Sequence, residues 1–399
     1  MKICLINNLY GKLGRGGGSE QVMDILVQGL KSDHQILTIS TQAYNQRAGN
    51  NNLNRNKDNN TNEKTEVKEY YLNSLFPSLS KLPIFFRLFW HLSDIFGYQK
   101  AGQVIEILKK EKPDLVITHN LKGLGMVTAR AIQEMKIRHV HVLHDIQLLH
   151  PSGLMYWSKE YIVKSLGSLL YTKMTKYALG KPNLVITPSR WLLSLHLQHG
   201  FFKDTKTKYL LNPYSEQQKT KNNQENNQTN SINFLCVGQL AKHKGIDLLL
   251  SAFTNLLPNL NANLQIVGIG ELEHQVRETS LKHERIQYLG KLPNEEVLKL
   301  MRKVNCLIIP SLVYENSPTV ILEALRNNLP IIGSDLGGIS ELLIFPELLF
   351  KPNDQDSLEE KIVFAYRHPQ ALAELVQKIR STIKQPSSLE YLAKIKKEL

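Results

Sequence analysis

The chain has 399 residues, 42% hydrophobic and 21% charged, with a formal net charge of +13. That length holds two cores of ordinary size, and the composition is that of a soluble folded protein rather than a disordered or fibrous one. The basic balance implies an anionic partner, a nucleoside diphosphate or anionic lipid. Nucleic acid is set aside, because no recognised binding motif is present.

Lys2 to Asn7 reads as a first, central parallel strand, and with Met1 it is too short for a secretion signal. No apolar run along the chain reaches the length of a bilayer span. Cys4, Cys236 and Cys306 each sit in a strand-like apolar run without metal-ligand spacing, and read as small buried hydrophobes in a reducing compartment. Next comes the glycine run Gly14-Arg15-Gly16-Gly17-Gly18-Ser19-Glu20, leading into an amphipathic helix from about Gln21 to Leu30. Glycines between a strand and a helix start let the backbone approach an anion. Gln35 to Ser40 is a second strand. The Asn-rich segment 48–65 buries too little apolar surface to order itself and reads as a disordered surface insertion.

Leu75 to Gly97 is rich in aromatics. It reads either as a membrane-contact or acceptor-binding segment or as a core helix continuing to Lys110, and the core reading is preferred. The strand Pro113 to Asn120 ends in His119 and Asn120; the strand Val140 to Leu143 ends in His144 and Asp145. Side chains at the carboxyl ends of parallel strands face the ligand crevice. His141 and His150 are left as structural. Pro182 to Thr187 is a further strand, a helix runs from Pro188 to about His199, and Tyr209 to Pro213 closes a first domain. The polar stretch from Glu216 to Ser231 reads as a linker.

A second alternation of strands and helices begins at Ile232. After its first strand, Gly238-Gln239-Leu240-x-x-x-Lys244-Gly245 forms a loop whose lysine faces a helix start and neutralises phosphate as a point cation. Cys306 to Ile309 is a buried strand; Ser317 is the expected N-cap and Pro318 the first residue of a helix carried by Val320 to Asn327. The N–H groups of that helix start, Ser317, Pro318, Thr319 and Val320, offer a seat for phosphate. Glu315 before the helix and Glu323 on it suit neutral hydroxyls beside that seat. Gly337-Gly338 reads as a loop. Asp354-Gln355-Asp356 has the Asp-x-Asp form of some metal sites, but its place before Ser357 to Glu360 reads as helix-start chemistry, so no metal is assigned. Two last helices are expected, Gln370 to Ile383 and Leu389 to Leu399.

Glu315-x7-Glu323 with Ala324-Leu325, then Gly337-Gly338-Ile339-x-Glu341, resembles the C-terminal signature of the family 4 glycosyltransferases. These are retaining, metal-independent GT-B enzymes with nucleotide-sugar donors, and the resemblance covers most of the chain outside the two polar inserts. It implies an α/β GT-B fold: two Rossmann-like, doubly wound parallel-sheet domains facing across a cleft. The expected division is an acceptor-side domain at 1–212, a linker at 213–231, a donor-binding domain at 232–375, and helices at 376–399 packing back on the first domain.

By the same resemblance, Gly17, Gly18 and Glu20 lie against the donor diphosphate and the acceptor, and His144 beside the donor sugar. Asp145, with His119 and Asn120, is placed on the acceptor side. Gly238, Gln239 and Lys244 match the family's Gly-Arg-Leu-x-x-x-Lys-Gly, except that Gln239 stands where the family usually has arginine, which removes one positive charge from the leaving group.

The expected reaction moves a sugar to an acceptor hydroxyl in surface polysaccharide or glycolipid assembly, with Lys244, Glu315 and His144 as catalytic residues. Glu323 takes the ribose, and closure of the two domains completes the site. No cofactor is expected beyond the donor itself. The expected place is the cytoplasm, with peripheral contact at the inner membrane face. The alternative is a non-catalytic nucleotide-sugar-binding protein on the same fold, which Gln239 favours. A dinucleotide-dependent oxidoreductase is disfavoured by the missing Gly-x-Gly-x-x-Gly.

Overall fold

The computed structural model describes residues 1–11, 17–43, 67–214 and 231–399. The start of the glycine run (14–16), the Asn-rich segment (48–65) and the polar stretch 216–230 lie outside the described residues. Two compact units divide the chain: Met1–Leu154 with Tyr161–Gln218 and Gln385–Leu399, and Met155–Glu160 with Lys219–Lys384.

The first unit alternates strands and helices. β1 (Lys2–Ile6) is followed by α1 (Gly18–Leu30), β2 (Gln35–Ala43), β3 (Lys68–Ser74), α2 (Ile84–Ile95) and α3 (Tyr98–Glu111). Then come β4 (Leu115–Thr118), α4 (Thr128–Glu134), β5 (Arg138–Val142), α5 (Leu166–Leu179), β6 (Leu184–Thr187), α6 (Arg190–Gln198) and β7 (Lys206–Tyr209). The strands form one sheet in the order β3-β2-β1-β4-β5-β6-β7, and every pairing is parallel. A parallel sheet covered on both faces needs strands that are apolar throughout. β4 and β6 meet this with the same four residues, Leu-Val-Ile-Thr, all buried.

Glu111, at the end of α3, ties the sheet's first strands together. Its carboxylate accepts from Lys2 Nζ at 2.5 Å, Tyr70 Oη at 2.7 Å and Lys68 Nζ at 3.3 Å. Burial pushes this carboxyl up, but these three donors outweigh it and hold the group at about 2.

The aromatic stretch is not the core helix preferred from sequence. A 3-10 turn at Phe76–Lys81 precedes α2, and Phe85, Phe86, Phe89 and Leu92 of α2 are exposed. A helix in a domain core has its apolar groups buried, which these are not. Among the described side chains of α2, Asp94 and Ile95 at its end are buried.

The second unit repeats the plan: β8 (Ile232–Val237), α7 (Ile246–Leu256), β9 (Ala262–Val267), α8 (Glu273–Lys282), β10 (Ile286–Tyr288), α9 (Asn294–Met301) and β11 (Cys306–Ile309). After these follow α10 (Thr319–Arg326), β12 (Ile331–Ser334), α11 (Gly337–Leu342), β13 (Leu349–Phe350), α12 (Gln355–Arg367) and α13 (Pro369–Thr382). Its sheet runs β10-β9-β8-β11-β12-β13, again all parallel. Asp354 caps α12, its carboxylate accepting from Ser357 N at 3.0 Å. The segment Met155–Glu160 belongs to this unit. Tyr156 bridges Val313, Trp157 N donates to Leu312 O at 3.0 Å, and Tyr314 Oη donates to Glu160 at 2.7 Å.

The last helix, α14 (Ser388–Glu398), counts with the first unit, whereas α13 counts with the second, so the expected division at 376 falls inside α13. Ser387 and Glu390 form a capping box at its start. α14 packs on α1: Ser388 Oγ donates to Ile25 O at 3.0 Å, and Tyr391, Leu392 and Ile395 join the core around Val22 and Leu26. A side chain at Gly29 would overlap Ser388, so this approach requires glycine there.

Candidate functional site

In a doubly wound sheet, ligands bind beyond the carboxyl ends of the strands where the winding reverses. That point lies between β1 and β4 in the first unit and between β8 and β11 in the second. Most candidate residues fall beyond the strand ends at these two places; His144 and Asp145 follow β5, and Glu323 lies on α10.

In the second unit, two loops are stitched together. After β8, Gly238 and Gln239 are exposed, and a 3-10 turn at Lys242–Lys244 follows. Gly245 adopts φ 71°, and a Cβ there would overlap the Pro310 carbonyl at the exit of β11. Leu312 N donates to His243 O at 2.9 Å. These contacts bring Lys244 Nζ to 2.5 Å from Glu315 Oε1, which also accepts from Ser311 Oγ at 3.0 Å. Burial raises the Glu315 carboxyl, but the Lys244 ammonium and the Ser311 hydroxyl outweigh it, and the group sits below the ordinary carboxylate range.

Glu315 O accepts from Gly338 N at 2.8 Å, and a Cβ on Gly338 would overlap the Asn316 carbonyl. The expected glycine loop is in fact the start of α11, whose close approach fixes the backbone of Glu315. Glu323, on the second turn of α10, is buried and accepts from Asn294 Nδ2 at 3.1 Å.

The start of α10 differs from the expectation. Pro318 (φ −59°, ψ 117°) is the N-cap, Thr319 the first helical residue, and Val320 follows. Ser317 does not cap; its Oγ is buried and has no hydrogen-bond partner among the described residues. The fixed φ of proline sets the entry to the helix, but Pro318 offers no side-chain oxygen to the first N–H groups. Lys242, the nearest other cation in sequence, has an exposed side chain, and its backbone N donates to Glu271 at 3.1 Å.

The first unit places its candidates beyond the ends of β4 and β5 and at the start of α1. His119 is fully buried, and its Nδ1 lies 2.7 Å from His144 Nε2, with the rings stacked 5.0 Å apart. Burial pushes His144 down to about 4 and His119 well below the ordinary range, so both are neutral near pH 7. His141 and His139 flank the buried Thr118 hydroxyl at 2.9 and 2.8 Å, a structural arrangement. Asn120 receives Gln147 Nε2, donates to Ser19 Oγ at 3.3 Å, and its N–H donates to Asn7 Oδ1 at 3.3 Å. Gly17 is the N-cap of α1, Gly18 opens it, and Glu20 lies in its first turn.

Asp145 belongs to a group that sequence reasoning missed in part. Lys122 is buried, its Nζ donating to Pro151 O at 2.8 Å. Burial lowers this ammonium, while Asp145 and Asp94 pull it back up. Asp94 accepts from Gly123 N at 2.8 Å and is pushed up to about 7 by burial. Burial also raises Asp145, against Lys122 and the Gln147 N–H at 2.7 Å. Lys122 is two residues beyond the predicted strand end at Asn120, which is the one signal that could have marked it. Asp94, Ser311 and Asn294 carry none.

Comparison with known proteins agrees with this architecture. The family described as Glycosyltransferase Family 4 matches residues 16–215, half of the chain, and the one described as Glycosyl transferases group 1 matches residues 217–385. A protein of Klebsiella pneumoniae, named as an uncharacterized 42.6 kDa protein in the cps region, is 28% identical over 367 residues, covering 89% of this chain and 91% of that one. Sucrose-phosphate synthase from Thermosynechococcus elongatus superimposes with a TM-score of 0.69 at 16% identity, over 99% of this chain and 98% of that one. Anabaena HepE, solved with UDP and glucose, gives 0.67 at 18% identity over 100% of both chains. At such identities the structural likeness is one of fold, and the fold is GT-B. The two family matches, read with the paired parallel sheets and the loops at their winding reversals, make this chain a member of the family 4 glycosyltransferases, a transferase of glycosyl groups.

Proposed function

We propose that the chain moves a sugar from a nucleoside-diphosphate sugar to the hydroxyl of a glycan or glycolipid acceptor, with retention of configuration and without a metal. The observation that carries this reading is the Lys244–Glu315 pair, 2.5 Å apart at the winding reversal of the second sheet, with Glu315 four positions before the first residue of α10. Lys244 and the N–H groups at the start of α10 meet the diphosphate, with the glycine amides at Gly17 and Gly18 assigned to the same group. Held ionised by the lysine, Glu315 only accepts hydrogen bonds, which suits hydroxyls of the donor sugar. Glu323 is assigned to the ribose. HepE was solved with UDP and glucose, which supports a uridine nucleotide as the first donor to try.

In the proposed reaction the bond from the anomeric carbon to the phosphate oxygen breaks, and the acceptor oxygen bonds to the same face of that carbon. The acceptor proton passes to the departing phosphate oxygen. Stabilisation is electrostatic and positional, with no carboxylate nucleophile. His144 is neutral and its Nε2 is engaged by His119, so Nδ1 is the atom assigned to a sugar hydroxyl. Glu20, His119, Asn120 and Asp145 are assigned to the acceptor side. No metal is assigned to the Asp-x-Asp motif, since Asp354 caps α12 and pairs with Lys351 at 3.1 Å. The place of action proposed is the cytoplasmic membrane face, during surface polysaccharide or glycolipid assembly.

A second reading, a nucleotide-sugar binder without turnover, is favoured by the exposed, neutral Gln239. One experiment separates the two. UDP-, GDP- and ADP-sugars are screened for protection against thermal unfolding, and release of nucleoside diphosphate is then followed with a protecting donor and a mixture of glycan acceptors. Release that falls about 100-fold in Lys244→Ala supports the transferase reading. Protection without release supports the binder, and near-normal release in Lys244→Ala rejects the assignment of Lys244.

A further inference from the structure

We propose, resting on the reading that assigns Glu323 to the ribose, that Asn294 is a positioning residue which aims the Glu323 carboxylate at the two ribose hydroxyls of the nucleotide. Asn294 Nδ2 lies 3.1 Å from Glu323 Oε1, across 29 positions of sequence. Chemistry fixes the direction of this bond: a carboxylate only accepts, so the amide turns its nitrogen towards it. Both ends stand on anchored elements. Glu323 is buried on α10 between Leu322 and Ala324, which are buried with it. Val297 and Met301 hold α9 to its domain. The loops after β8, β9 and β10 adjoin, with Gly238 N donating to Val267 O at 3.0 Å and Gly268 N to Gly290 O at 2.8 Å. Gly290, at φ 69°, turns the chain after β10, and Pro293, at φ −59°, leads it into α9. Asn294 is the first residue of that helix, so it lies at the carboxyl-end rim of the same sheet as the Lys244 loop.

An amide suits this task better than a cation. Lys244 meets Glu315 charge to charge at 2.5 Å. What α9 gives Glu323 is a neutral donor, which holds one carboxylate oxygen without cancelling the charge. A carboxylate has about four lone-pair sites, so acceptor capacity remains for a pair of neighbouring hydroxyls. A charged acceptor also makes shorter, stronger hydrogen bonds to hydroxyls than a neutral one. A glutamate side chain left to rotate would lose rotamer freedom on meeting the nucleotide, at a cost to affinity. Asn294 settles that geometry before the nucleotide arrives. Asn294 is itself exposed, so truncating it opens no cavity in the core.

The full chain is titrated by calorimetry with UDP, GDP and ADP, and with dideoxy forms of each that lack both ribose hydroxyls. A nucleotide that binds should bind about tenfold more tightly than its dideoxy form. Asn294→Ala should weaken the ribonucleotide roughly fivefold and leave the dideoxy form unchanged, with a higher donor KM at unaltered kcat. Asn294→Asp sets carboxylate against carboxylate at the same size and should weaken the ribonucleotide roughly tenfold or more. On a Glu323→Gln background, Asn294→Ala should cost nothing further, since its effect passes through Glu323. A merely structural part would weaken both nucleotide forms alike and would add to Glu323→Gln; either result overturns the proposal. If the parent prefers the ribonucleotide and Asn294→Ala prefers it equally, the assignment of Asn294 fails while that of Glu323 stands. If the parent makes no such distinction, or binds none of the nucleotides, the ribose assignment of Glu323 fails and that of Asn294 falls with it.

Discussion

Lys244 and Glu315 are 71 positions apart in sequence and share one hydrogen bond, which couples their charges. Gln239, exposed at the end of β8, leaves this lysine as the cation assigned to the leaving group. Gln239→Arg should therefore raise kcat/KM for the donor roughly tenfold, the worth of one added charge-assisted contact in the transition state; steady-state kinetics on the variant check this, and an unchanged value places position 239 away from the diphosphate. Lys244, Glu315 and Glu323 were legible because each lies at a fixed offset from a glycine turn or a helix start. Lys122, Asp94 and Asn294 were not, because tertiary folding alone gives them their partners; Ser311 lies only four positions before its partner Glu315, in a loop with no repeating pattern. Asp94 reaches Gly123 across 29 positions, and Asn294 reaches Glu323 across 29. No local pattern encodes such a pairing.

Elements were easier to read where both faces of a strand are buried, since a short apolar run has few other uses. Cys306–Ile309 lies where the pattern put it, and so does Ile232–Val237. β3, α4 and α5 were passed over: β3 is a mixed polar strand at the sheet edge, and α5 carries leucines on its solvent side, which blurs its amphipathic signal. α11 differs from the expected loop because two glycines at its start look like a turn, while the part of Gly338 is to let the backbone pass under Asn316. Gly338→Ala should push the segment 315–317 outward, lower the unfolding free energy of the second unit by about 2 kcal/mol or more, and abolish protection by the donor. Urea unfolding with and without nucleotide sugar measures both. Full protection in this variant would detach Glu315 from donor binding.

The stability of the first unit depends on a buried charge cluster at one edge of its sheet. Glu111 is drawn from its ordinary 4.5 to about 2 in the folded chain, so it favours the folded state above pH 4.5, and that contribution is lost as pH falls towards 2. Glu111→Gln should cost about 3 kcal/mol at neutral pH, because Lys2 loses its buried partner, and should flatten the acid limb of stability against pH. Denaturant titrations across that range test both statements, and an unchanged acid limb would locate the sensitivity elsewhere. Tyr391, Leu392 and Ile395 of α14 complete the core of the same unit that begins with β1. During synthesis on the ribosome, the leading half emerges and must wait, its hydrophobic groove beside Val22 and Leu26 open, until the trailing helix has been translated. The later half can finish its own sheet in the interval, so the half made first is the half that matures last.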